Sequence, residues 1–258
     1  MAGQERIINK LPAITISFWI MKICATTLGE TAGDLLSMTM NIGYAVSSVI
    51  LLGFFFTTLL SQLLSRTYHP LIYWLVILAT STAGTTMSDF MDRTLGLGYA
   101  IGSLILMSLL ITTLIIWNSI EKSLSVTNIR STRGEIFYWS AILLSNTLGT
   151  ALGDFLADNS ELGFTGGAML IGGLLLLILL AYCFSNISPI ILFWLAFVLT
   201  RPFGATFGDL LTKTHDKGGL GFGTIRSSLI LFIALITLVI YEIIKVNKKS
   251  TFRKIQTT

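Results

Sequence analysis

Four times along the chain a tryptophan is followed fifteen residues later by an aspartate: Trp19/Asp34, Trp74/Asp89, Trp139/Asp154 and Trp194/Asp209. Phe or Tyr precedes each tryptophan, and a glycine stands five residues before each aspartate (Gly29, Gly84, Gly149, Gly204). The stretches align without a gap as TTLGETAGDLL, STAGTTMSDFM, NTLGTALGDFL and RPFGATFGDLL. A repeat of this kind restricts the chain to architectures assembled from copies of one unit, each burying its apolar face against its neighbours. The Trp-to-Trp intervals of 55, 65 and 55 residues add a second level of order, a two-repeat half that is itself duplicated.

Composition supplies the medium. Hydrophobic residues make up 53% of the 258 and charged residues only 12%, against roughly a quarter charged in soluble domains. That excludes an ordinary soluble enzyme and a disordered chain. Long apolar runs separate the basic residues, with no basic patch interleaved with aromatics, so nucleic acid is excluded as a partner. Runs of about 20 apolar residues can cross a bilayer, and eight are found, near 12–33, 43–64, 71–90, 98–119, 137–157, 164–184, 188–208 and 222–244. Short connections predict that neighbouring segments pair as antiparallel hairpins.

The expected fold is an all-α polytopic membrane protein with eight transmembrane helices, built from four parallel two-helix repeats arranged as two duplicated halves. Residues 1–120 form the first half, 121–136 a charged cytoplasmic linker, 137–246 the second half and 247–258 a basic cytoplasmic tail. Two spans per repeat keep every copy in one orientation, unlike the inverted repeats of many transporters. Arg6 and Lys10 precede the first run, but no small-residue cleavage site ends it, so a cleaved signal peptide is not expected. Eight spans place Arg6, Lys10, Arg66, Lys122, Arg130, Arg133 and the tail Lys245, Lys248, Lys249, Arg253 and Lys254 on one side. The opposite loops hold Arg93, Arg201, Lys213 and Lys217, so the positive-inside rule predicts a multi-pass protein of the cell (inner) membrane with both termini cytoplasmic.

The repeat pattern resembles a bacterial integral membrane family known for four tandem copies of a repeat of unknown function, each with two transmembrane stretches and a characteristic tryptophan. The likeness runs from about Phe18 to Tyr241. It implies the fold organisation and carries no biochemical activity with it.

Function has to come from the repeated polar residues. A charged group at the centre of a spanning helix costs roughly 2.5–3.5 kcal/mol on insertion scales. Positions four apart share a helix face, which gives the stripes Lys22–Thr26–Glu30–Asp34, Ile77–Ser81–Thr85–Asp89, Ile142–Asn146–Thr150–Asp154 and Phe197–Arg201–Ala205–Asp209. Each becomes polar towards its aspartate, so each should turn into the bundle. Asp34, Asp89, Asp154, Asp209 and Glu30, with the oxygens of Thr26, Thr85, Asn146 and Thr150, are hard ligands suited to a divalent ion. Cys24 and Cys183 lie in apolar runs and His69 and His215 in connections, so no disulfide framework, structural zinc or haem is expected. Lys22, Arg201 and Arg226 are the candidate counter-charges. Arg226 aligns with Ser48, Ser103 and Ala168 when the GYA-like start of each second helix is anchored on Gly43, Gly98, Gly163 and Gly221.

The expected function is transport of a cation, a hard divalent metal such as Mn²⁺ exchanged for protons, with no resident cofactor. The alternative is a structural or sensory membrane module whose small-xxx-small glycines pack helices and whose aspartates cap them. No Ser-His pair, HExxH or redox constellation argues for an enzyme. The bilayer and the transported cation are the expected partners, and a homodimer is left open.

Overall fold

The computed structural model describes residues 10–255 apart from Arg66, Thr127, Asn128, Arg130 and Glu161, with side chains as far as Lys248. Arg6, Arg66 and Arg130, used above for orientation, lie outside the described residues, as do the side chains of Lys249, Arg253 and Lys254. Eight α-helices follow in order: α1 (Ile16–Asp34), α2 (Tyr44–Leu64), α3 (Pro70–Asp89), α4 (Gly98–Glu121), α5 (Thr132–Asp154), α6 (Gly163–Phe184), α7 (Pro189–Thr212) and α8 (Thr224–Ile255).

Local chemistry sets several of these ends. Thr15 caps α1 by accepting from the Phe18 amide, and Pro70 and Pro189 open α3 and α7, where a missing N–H costs nothing. Helix α5 begins inside the stretch expected to be linker, because Ser131 accepts from the Gly134 amide and Glu135 sits in the first turn. Both features stabilise a helix N-terminus. At the other extreme α8 runs on through its basic residues. Its 32 residues span about 48 Å, well beyond a hydrocarbon core of about 30 Å.

The odd-numbered helices close a ring: α1 packs on α3, α3 on α5, α5 on α7 and α7 back on α1. Helices α2, α4, α6 and α8 lie outside it. The expected pairing of neighbouring segments holds between repeats, while the two helices within a repeat are not the packing unit. Instead α2 lies on α3, α4 on α5, α6 on α7, and α8 closes the circle on α1. Each repeat therefore gives its second helix to the first helix of the next.

The outer helices are apolar on their free faces, with Val49, Phe56, Leu104, Ile115, Leu177 and Ile230 all exposed. Apolar surface on that scale does not face water in a soluble monomer. Six helices (α2, α3, α4, α6, α7 and α8) are long and apolar enough to cross a membrane, which defines a helical membrane protein. Lys22 and Glu30 of α1 and Glu135 of α5 are buried instead.

Glycines let the ring helices approach. A Cβ on Gly84 would stand 2.9 Å from the Thr147 nitrogen and one on Gly204 2.8 Å from the Thr26 Cβ. One on Gly29 would strike Ser81, and one on Gly149 would strike Arg201. The repeated glycine thus faces the next helix of the ring in every copy, which is the packing role the small-xxx-small pattern predicts.

Candidate cation site

The four stripes meet on the ring axis, and every one of their residues is buried. Aromatic side chains close one end. Phe18 packs on Trp74, Tyr73 on Trp139 and Phe193 on Trp19, with ring centroids 5.7, 5.5 and 5.8 Å apart. Tyr138 reaches Trp194 through Trp117, and the Tyr73 and Tyr138 hydroxyls share a 2.7 Å hydrogen bond. The repeated aromatic–Trp pair is therefore an internal collar in which each copy leans on the next.

Above the collar, Lys22 lies level with Ile77, Ile142 and Phe197. Its ammonium donates to Asn146 Oδ1 at 3.4 Å and stands 3.8 Å from the centre of the Phe197 ring. Asn146 in turn donates to Thr80 Oγ1 at 2.9 Å. Arg201 comes next and is completely buried. Its Nη1 donates to Glu30 Oε2 at 3.0 Å, and its Nη2 to Thr85 Oγ1 at 2.5 Å, to Thr150 Oγ1 at 2.8 Å and to the Ser81 carbonyl at 3.2 Å. Thr85 and Thr150 also donate to Glu30 Oε2. A single guanidinium from α7 so ties together α1, α3 and α5.

The aspartates form the outermost layer, at the opposite end from the tryptophans, so the four ring helices run in one direction. They pair two by two. Arg93 holds Asp89 at 2.8 Å and Asp154 at 3.2 Å, while Lys213 holds Asp34 at 3.1 Å and Asp209 at 3.0 Å. Asp89 Oδ1 and Asp209 Oδ1 lack ideally directed hydrogen bonds, yet both lie within ion-pair distance of these cations, so both are paired. Burial alone would lower the Lys213 ammonium, but Asp209 and Asp34 outweigh it and hold it well above the ordinary lysine range.

One carboxylate oxygen from each of Glu30, Asp34 and Asp209 lies within 4.8 Å of the others, and all three residues are buried. Asp89 and Asp154 form the other side of the mouth. Across the two outer layers, five axial carboxylates face the three cations Arg201, Arg93 and Lys213. This is a formal excess of two negative charges, the charge a divalent cation would balance.

The other expected ligands divide. Thr85 and Thr150 lie beside the carboxylates and donate to Glu30 Oε2. Asn146 is taken by Lys22 and Thr80, and the Thr26 hydroxyl donates to the carbonyls of Lys22, Ile23 and Thr200. Those two residues do not join the carboxylates. Nor do Asp34, Asp89 and Asp154 cap helices: each precedes a π-helical turn (Leu35–Thr39, Phe90–Thr94, Phe155–Asn159) and makes no side-chain cap bond, while Asp209 lies within α7.

Arg93 and Lys213 were legible only as loop charges. Both stand four residues after a repeat aspartate, the spacing that pairs side chains on a helix, and that spacing was the available signal. Arg226 is not a counter-charge on the axis, since it is exposed on α8. The register explains why. Gly223, with φ of +75°, accepts from the Ser227 amide as Gly43, with φ of +83°, accepts from that of Ser47. Ser228, buried like Ser48, is the true equivalent, and Arg226 falls two positions earlier.

The fold defines a class, an all-helical membrane protein made of four copies of one repeat around a polar axis. The chain belongs to the family described as Repeat of Unknown Function (DUF347), whose copies match residues 17–68, 72–123, 137–188 and 192–245. No curated protein and no solved structure matches it.

Proposed function

We propose that the protein is an integral membrane transporter of a hard divalent cation such as Mn²⁺, with the ring axis as its path and protons on the carboxylates as the exchanged charge. The carrying observation is the buried trio Glu30, Asp34 and Asp209 with their oxygens within 4.8 Å, on a mouth with two negative charges in excess. Carboxylates and hydroxyls favour Mg²⁺, Ca²⁺ and Mn²⁺ over softer ions. Lys213 is the tethered cation an incoming ion displaces, being 21% exposed while the carboxylates it holds are nearly inaccessible.

All eight helices cross the membrane in this reading. Helices α1 and α5 occupy ring positions equivalent to those of α3 and α7, and the apolar outer helices shelter their charges. The aspartate layer, in which the second and fourth repeats carry the bridging cation, supports an arrangement of two duplicated halves. The basic excess around Lys10, Lys122, Arg133 and Lys245 supports cytoplasmic termini and the cell inner membrane.

Uptake of Mn²⁺ into proteoliposomes tests the proposal, using Glu30→Gln, Asp34→Asn and Asp209→Asn. Loss of flux in variants that stay folded supports it. Absence of flux of any divalent ion or proton in the wild type removes its basis.

One observation favours a non-transporting structural or sensory module: every repeat aspartate is already ion-paired within the chain. That reading predicts unchanged metal content and metal sensitivity in cells with and without the protein.

A further inference from the structure

We propose that the outer end of the ring opens by the parting of two rigid bodies, and that Arg93 and Lys213 are the paired latches that hold it shut. The inference rests on the transport reading for its purpose, while its geometry stands apart. The four contacts of the ring are packed alike, so the division follows from where the two bridges fall: α8, α1, α2 and α3 on one side and α4, α5, α6 and α7 on the other, each outer helix lying on a ring helix of its own body. These bodies differ from the sequence halves, since α4 and α8 have changed places.

Two seams separate the bodies, α3/α5 and α7/α1. Arg93, from the π-helical turn after α3, crosses the first to Asp154. Lys213, just beyond α7, crosses the second to Asp34. The corresponding positions after α1 and α5 are Met38 and Asp158, so among the described residues neither α1/α3 nor α5/α7, the seams inside a body, has such a bridge. The only covalent crossings between the bodies are the connections after α3 and after α7, the two segments that carry the latches. Both contain glycines at positive φ, Gly96 and Gly98 in one and Gly218, Gly221 and Gly223 in the other, a freedom that lets a connection change shape.

Deeper in, both seams are held by further bonds, Asn146 to Thr80 and Tyr73 to Tyr138 at α3/α5 and Arg201 to Glu30 at α7/α1. Arg201 joins α7 to α1, α3 and α5 together, and the aromatic collar continues around the far end. The middle is therefore the pivot and the outer mouth the part that moves. Arg93 and Lys213 are 35% and 21% exposed, so water and salt reach these ion pairs and can loosen them.

Double electron–electron resonance on the full chain in liposomes tests this, with Cys24 and Cys183 replaced by Ser and spin labels on Met40, Leu95, Asn159 and Thr214. In Arg93→Gln/Lys213→Gln, the cross-seam distances Leu95–Asn159 and Met40–Thr214 should lengthen and broaden. The within-body distances Met40–Leu95 and Asn159–Thr214 should hold. Four distances changing together, or none changing in a variant of wild-type helicity, would overturn the proposal.

If the double variant does not fold, raising salt on the wild-type sequence to about 1 M, where the Debye length is ~3 Å, should produce the same cross-seam signature. Identical cross-seam distances at low and high salt would then overturn it. Because the distances report opening without flux, an intact signature in a protein that moves no ion sinks the transport reading alone.

Discussion

A guanidinium offers N–H donors in a fixed fork, and Arg201 directs those of its two Nη groups to three helices inside a layer that water does not reach. Removing either partner of a buried ion pair strands the other charge, at a cost of about 3–5 kcal/mol, whereas replacing both with apolar groups costs far less. Arg201→Met and Glu30→Gln should each lower the thermal midpoint in detergent sharply, and Arg201→Met/Glu30→Met should recover much of the loss. Additive losses in the double variant would show that the two side chains are not coupled. Lys213 makes a different prediction. Its folded-state pKa is raised by Asp209 and Asp34 against the opposing effect of burial, so its stabilising contribution is fully present below the unfolded value of about 10.4 and is lost as pH rises through the folded one. The stability difference between wild type and Lys213→Gln should therefore stay constant from neutrality to about pH 10, as pH-stepped melting curves would read out. A difference that fades nearer neutrality would mean that the ammonium is not held by the carboxylates.

At the scale of the helices, the sequence showed how many there are and which face of each ring helix turns inward. It pointed to pairing between neighbours but not to which neighbour each outer helix takes. Eight apolar runs and a four-residue stripe are local patterns, and all four stripes are buried as periodicity requires. Packing of α2 on α3 rather than on α1 depends on surfaces far apart in the chain, with no periodic signature. The π-helical turns were hidden for a related reason: a five-residue hydrogen-bonded turn leaves no compositional mark, although it sets where Arg93 reaches. The repeated glycines were legible as packing residues, and their placement now gives magnitudes. Alanine at Gly84 or Gly204 must push against backbone atoms of the next helix, 2.9 Å away in each case, and overpacking costs about 1–3 kcal/mol. Gly53, on the outer helix α2, has no atom within 4 Å of an added Cβ, and alanine there should gain up to about 1 kcal/mol from helix propensity. Melting of Gly84→Ala, Gly204→Ala and Gly53→Ala side by side checks the contrast. Equal effects at all three would mean that the ring is looser than its glycines imply.

For the whole molecule, the handing of each outer helix to the next repeat makes the two sequence halves incomplete alone. The first half contains α4 without α5, the helix it packs on, and α1 without α8, which covers it. The second half has the opposite defects. A half expressed by itself would expose the buried charges of its ring helices, among them Lys22 and Glu30 in one case and Arg201 in the other, without the partners that satisfy them. The covalent link between the halves contributes much less than these contacts. Its described part is held by a Ser131–Glu121 hydrogen bond and by Trp194 Nε1 donating to the Leu124 carbonyl. Cutting the chain in this connection and expressing the two pieces separately should therefore yield fragments that are degraded or aggregate. Co-expression should restore a complex that co-purifies in detergent and melts cooperatively. The interlocked ring makes this outcome specific, because two self-contained four-helix halves would each survive alone and would gain little stability from being together. Recovery of either fragment as a stable, monodisperse helical protein would show that the outer helices return to their own repeats, and that the ring in the intact chain is held by connectivity rather than by packing.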